Sequence, residues 1–178
     1  MRRLAEGIAM AGHALLWIFS LRALPNLPAR IPVHFDLSGQ ADRWSEGALA
    51  WLSMPMFATG MAIALLLLTF FLQKRPDMVN VPGKARVQKL PPRFRGPVSE
   101  AVREMMALVQ VEMIVIFCLV QRGIWAGAMG EPAEVWTTAV MFTAIMSSPV
   151  LLVVIVTRFP AAVEAGWKKA RAEGIQED

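Results

Sequence analysis

The chain holds a single cysteine, Cys118, among 178 residues. That excludes an internal disulfide framework and a cysteine-rich zinc site. Charge is scarce too: Asp, Glu, Lys and Arg make up 18% of the residues, against about 25% in ordinary soluble domains. Apolar residues reach 56% and mean hydropathy is +0.47. A soluble or a disordered chain is therefore excluded. There is no nucleophile elbow, no HExxH pair and no phosphate-binding loop, so no enzyme is expected and no cofactor. The two histidines, His13 and His34, are too far apart along the chain to serve as paired metal ligands, and no metal is expected.

What the sequence has instead is long apolar runs. A helix needs about 20 such residues to cross the hydrocarbon core. Between Glu46 and Lys74 lie 27 uncharged residues, and between Glu134 and Arg158 lie 23. A first run, Leu4 to Arg22, follows Arg2 and Arg3; it is read as a retained span because no small-residue cleavage site follows. A further run, from about Met105 to Gly127, is interrupted by Glu112 and starts from a helix opening near Pro97. The expected architecture is an all-α integral membrane protein with four transmembrane helices and a structured outer loop between the first two.

The net charge is +4. Of the 18 Lys and Arg residues, fourteen fall at the termini and between the second and third spans, and four fall in the other two connections. Basic segments stay cytoplasmic, so both termini are expected inside, in the cell inner (cytoplasmic) membrane. Trp44, Trp51, Trp125 and Trp136 then gather near the outer boundary. The placement makes the basic residues topology determinants, with anionic lipid as a further contact, and argues against nucleic acid. Four segments follow: a membrane module over 1–75, a basic Pro-rich cytoplasmic connector over 76–96, the third and fourth spans over 97–158, and an amphipathic tail over 159–178. Prolines 76, 82, 91, 92 and 97 preclude a continuous helix through the connector. Trp167, Lys168, Lys169 and Arg171 suit a tail lying on the membrane surface.

The most distinctive stretch runs from Leu24 to Trp44, within a loop spanning 24–47. Pro28 and Pro32 restrict the backbone, Ile31, Val33 and Phe35 alternate with polar neighbours as in a short strand, and Gly39 suits a turn with positive φ. Asp42 can return to His34 in a hydrogen bond. Three readings fit His34, Asp36 and Asp42: a stapled loop capping the bundle, a peptide- or lipid-binding surface, or a metal site of one His and two Asp. Pro28, Pro32, His34, Phe35, Asp36, Gly39, Asp42 and Trp44 are the candidate binding residues.

Leu27-Pro28, Ile31-Pro32, His34-Phe35, Gly39, Asp42 and Trp44, in this order between two spans, resemble the membrane module of unknown function found in SdpI-like bacterial immunity proteins. The resemblance covers about residues 5 to 75. It implies a module that faces the outside, and protection against, or sensing of, a secreted peptide toxin. The additional segment of the immunity proteins is not identifiable here. The partners expected are the lipid bilayer and either a peptide toxin or a larger membrane complex, in which the chain would be an accessory subunit.

Within the spans, Glu112 and His13 are ionisable and lie at similar depth. Each should face protein and find a partner, and His13 is one expected partner for Glu112. Small residues at four-residue spacing, Gly7/Ala11, Gly60/Ala64 and Ala139/Thr143/Ser147, are expected where helices approach closely.

Overall fold

The structure, a computed structural model, describes every residue except Leu37, Ala133 and Asp178. In chain order it contains α1 (Arg2–Ala23), β1 (Arg30–Phe35), β2 (Ala41–Glu46), α2 (Ala48–Lys74), the short α3 (Lys84–Lys89), α4 (Gly96–Ala128) and α5 (Glu134–Ala172). Single 3-10 turns cover Leu24–Asn26, Pro76–Met78 and Pro92–Phe94. Helices α1, α2, α4 and α5 are long and apolar enough to cross a membrane. Leu66, Leu67, Phe70 and Phe71 on α2 and Phe142, Ile145 and Val153 on α5 are exposed. A continuous apolar surface of this kind belongs in lipid rather than water. The protein is a helical multi-pass membrane protein, and the connection between α1 and α2 is a β-hairpin rather than helix or coil.

Helix α4 is the hub: it packs against α1, α2, α5 and β1. Gly12 lets α1 approach, since a Cβ there would lie 2.9 Å from Ile114 Cγ1. Leu16, Ala58, Ile114 and Phe117 form the middle of the core, and Trp17 Nε1 donates to Thr59 Oγ1 at 2.9 Å to tie α1 to α2. The expected small-residue faces are only partly used. A Cβ on Gly7 or Gly60 would meet nothing within 4 Å. Close packing falls to Gly12 and to Gly123, whose added Cβ would lie 3.1 Å from Trp136 Cβ.

The end where α1 begins carries most of the basic residues and a second core. No continuous helix passes through 76–96, but the segment is more ordered than an irregular connector. Val87, Leu90 and Val98 are fully buried against Phe159, Val163, Trp167 and Ala170. Those last four recur at i, i+4, i+8 and i+11, one stripe of a helix. The amphipathic pattern of the tail is thus present, but its apolar face is covered by protein rather than lying on a membrane. Nor does the tail form a separate element: α5 runs unbroken through Pro149 and Pro160, 39 residues in all, about 58 Å at the helical rise. Trp167 Nε1 donates to Arg86 O at 3.2 Å, and Arg86 holds Glu164 at 2.9 Å and Glu177 at 2.5 Å.

Candidate functional site: the hairpin and the cavity beneath it

The hairpin forms because its two strands meet across a turn built by Asp36. Asp36 Oδ1 accepts from the Ser38 hydroxyl at 2.7 Å and from the Ser38 and Gln40 amides, both at 2.9 Å. Gly39 takes φ +84°, which only glycine adopts cheaply. The Ser38 hydroxyl first, and then the Gln40 amide, hold the Asp36 carboxyl below its usual 3.8. The strands pair antiparallel, Arg30 opposite Glu46, Ile31 opposite Ser45 and Pro32 opposite Trp44, with irregularities around His34. β2 is the polar segment ADRWSE, which takes its extended shape from pairing with β1.

One side of the hairpin is anchored. Ile31 is 1% exposed and shares a cluster with Ala23, Trp51 and Ile124. Pro32 and Phe35 press on Gly127, where a Cβ would meet Phe35 Cε1 at 3.1 Å and Pro32 Cγ at 3.2 Å. Below them the rings of Phe19, Trp51 and Trp125 lie 5.8 to 6.0 Å apart. Trp51 is fully buried and donates from Nε1 to Ser20 O at 2.7 Å.

The other side is open. His34 Nδ1 and Asp42 Oδ1 stand 2.5 Å apart, each side chain 46% exposed, so this pair crosslinks the strands in full view of solvent. Trp44 is exposed, and Pro28 is half-buried ahead of β1. Asp36 faces its own turn, so it does not converge with His34 and Asp42. Among the described residues no three His, Cys, Asp or Glu side chains are grouped to hold a metal ion. Between the hairpin, α4 and α5 lies an apolar cavity of about 270 Å³, lined among others by Val33, His34, Phe35, Val120, Trp136 and Val140. Arg122 lies over the Trp136 ring, 4.8 Å from its centroid, and pairs with Glu131 at 3.2 Å.

His13 and Glu112 are not brought together. His13 Nδ1 lies 2.9 Å from Ala9 O and Nε2 3.4 Å from Ala58 O. Glu112 Oε1 instead accepts from Ser147 Oγ at 2.5 Å. The reason is helical phase: Ile114 meets α1 at Gly12, and Glu112, two residues earlier, is about 200° round the helix from it and meets α5. Gln121 is a polar residue missed by the sequence reading. It is fully buried and donates from Nε2 to Trp51 O at 3.3 Å, joining α4 to the start of α2. Its one visible signal was an amide closing the apolar run from Met113 to Val120.

Residues 13–59, from the middle of α1 through the hairpin into α2, match the family model described as a domain of unknown function, DUF1648. An uncharacterized protein of Archaeoglobus fulgidus is similar to this chain, 33% identical over 73 residues. That match covers 39% of this chain and 40% of the relative, so the chain spans well under half of the relative's length. No solved structure matches.

Proposed function

We propose that this chain is a non-enzymatic protein of the cytoplasmic membrane, with both termini inside, whose hairpin recognises a peptide at the outer face in the manner of SdpI-like immunity and signalling proteins. The observation that carries the reading is the cavity of about 270 Å³ beside His34. It lies below the range of about 300–1,000 Å³ typical of small-molecule pockets. It suits one or two apolar side chains of a peptide, with the exposed His34–Asp42 pair at the rim to meet polar backbone. The division of basic residues supports the orientation. A thiol introduced at Ser38 should react with an impermeant reagent in intact cells and one at Asn80 should not, in a Cys118→Ser background.

Deleting the gene should make cells sensitive to a peptide in their own spent medium, and the wild-type chain should restore growth. Asp42→Ala and Val140→Phe, which fills the cavity, should fail to restore it at equal membrane abundance. Full protection by both variants, or no sensitivity on deletion, removes the reading. The second reading is an accessory subunit of a larger membrane complex. It is favoured by α5: in its most apolar stretch no described residue is fully buried within the chain, although one side packs on α4. A stoichiometric membrane partner retained in mild detergent would support it.

A further inference from the structure

Two spaces away from the hairpin lie along one seam. At the basic end a cleft of about 340 Å³ opens between α1, α4 and α5, lined by Arg2, Glu100, Glu104, Arg158 and the small Ala161 and Ala162. Farther along, an apolar cavity of about 250 Å³ lies between α4 and α5, lined by Leu108, Val111, Val115, Val150 and Leu151 and containing the Glu112–Ser147 pair. At about 100° per residue, the residues lining both spaces fall within an arc of about 120° on α4 and a similar arc on α5. The two spaces therefore lie along the same face of the α4–α5 pair. Glu104 and Glu112 are eight residues apart, about 12 Å along the axis.

The charges in the cleft pair only loosely with one another. Glu104 is only 19% exposed, yet its one ion-pair partner among the described residues is Arg158, at 4.0 Å. That is beyond hydrogen-bond distance. Arg158 is half-exposed. Arg2 is divided between Glu6 at 2.8 Å and Glu100 at 3.4 Å. Beyond Glu104 on α4, and before Arg158 on α5, the sequence turns apolar, so this cleft stands at the headgroup level. It offers a cation and an anion side by side, with a hydrocarbon-lined groove leading away from them.

We propose that the α4–α5 groove binds a glycerophospholipid whose headgroup carries a primary ammonium, of the phosphatidylethanolamine class. The phosphate lies beside Arg158, whose guanidinium forks onto phosphate oxygens. The ammonium donates to Glu104, with Glu100 nearby. One acyl chain follows the groove past Leu108 to Val115, where the carboxyl of Glu112 is turned onto Ser147. A choline headgroup has the same charges but no N–H for Glu104. A glycerol headgroup leaves a net negative lipid facing two carboxylates.

The test uses the full chain reconstituted in vesicles of equal phosphatidylethanolamine, phosphatidylcholine and phosphatidylglycerol with identical chains, followed by native mass spectrometry of retained lipid. Wild type should retain phosphatidylethanolamine about fivefold over the other two, the upper end for a partly exposed ion pair. Glu104→Gln should level that preference, and Arg158→Gln should lower retention of all three. A measurement on wild type alone covers a variant that misfolds: successive N-methylation of the ethanolamine should reduce retention, with the trimethyl lipid weakest. Free phosphoethanolamine, which has no chain, should not displace the lipid. Equal retention of the three lipids, indifference to N-methylation, a preference unchanged in a folded Glu104→Gln, or displacement by free phosphoethanolamine would each overturn the proposal.

Discussion

The two ends of the helical bundle are both closed, but by different means. At the hairpin end the cover is small. One strand face rests on Gly127 and an aromatic trio, while the His34–Asp42 side stays exposed. At the basic end α3, the turns around it and the last third of α5 share a continuous core from Val81 to Ala170. Ion pairs from Arg86, Arg93 and Arg95 ring that core. A cover with one anchored face and one open face can meet a ligand without unfolding. A cover with its own core serves to hold the chain ends. The family match stops at residue 59, so it includes the first cover and excludes the second.

The comparison breaks most easily at the basic end. Trp167 is 2% exposed, and Trp167→Ala should cost about 3–5 kcal/mol. Thermal unfolding in detergent and proteolysis within Lys84–Lys89 would measure it, while thiol labelling at Ser38 should stay as in wild type. Parallel loss at both ends would mean that they are one cooperative unit. A smaller effect, about 1–3 kcal/mol from overpacking, is expected for Gly166→Ala. Its Cβ would lie 2.6 Å from Leu90 Cδ2 and 2.9 Å from the Phe94 carbonyl oxygen. Gly7→Ala and Gly60→Ala, which meet nothing, should instead stabilise their helices by about 0.5–1 kcal/mol. At the hairpin, Asp42→Ala should remove no more than about 1 kcal/mol, because the pair is exposed. Faster hydrogen exchange across residues 30–46 with unchanged helices would show it.

The smallest effect is a pH dependence of the chain end. Hydrogen bonds from Arg86 hold the Glu177 carboxyl below its ordinary 4.5, and Arg86 and then Arg171 do the same for Glu164. Carboxyls with lowered values stabilise the fold above pH 4.5 and lose that contribution as pH falls through their folded values. Protection of residues 172–177, after correction for the intrinsic pH dependence of amide exchange, should therefore fall on acidification below that value and not between neutral pH and 5. Arg86→Gln should abolish the difference.

Much of this was legible along the chain. Apolar runs mark four spans, because lipid leaves a spanning backbone no option but to bond within itself. Gly39 marks the turn and Ile31 to Phe35 mark one strand. The second strand was not legible, because Ala41 to Glu46 is polar and gains its shape from pairing across the turn. The stripe Phe159, Val163, Trp167 and Ala170 was visible as amphipathic, but a stripe does not say whether lipid or protein covers it.

Composition and order alone thus determined that the chain is a multi-span helical membrane protein with a distinctive segment between its first two spans. They did so because hydropathy, proline and glycine act locally, through desolvation and backbone freedom. Only the tertiary structure decided that Glu112 meets Ser147 rather than His13, that the connector and the end of α5 share a core, and that Glu104 and Arg158 face one cleft. Each of those depends on the rotation of one helix against another, and that rotation is set by packing at a few close contacts, such as Gly12 on Ile114 and Gly166 on Leu90, between residues far apart in the chain.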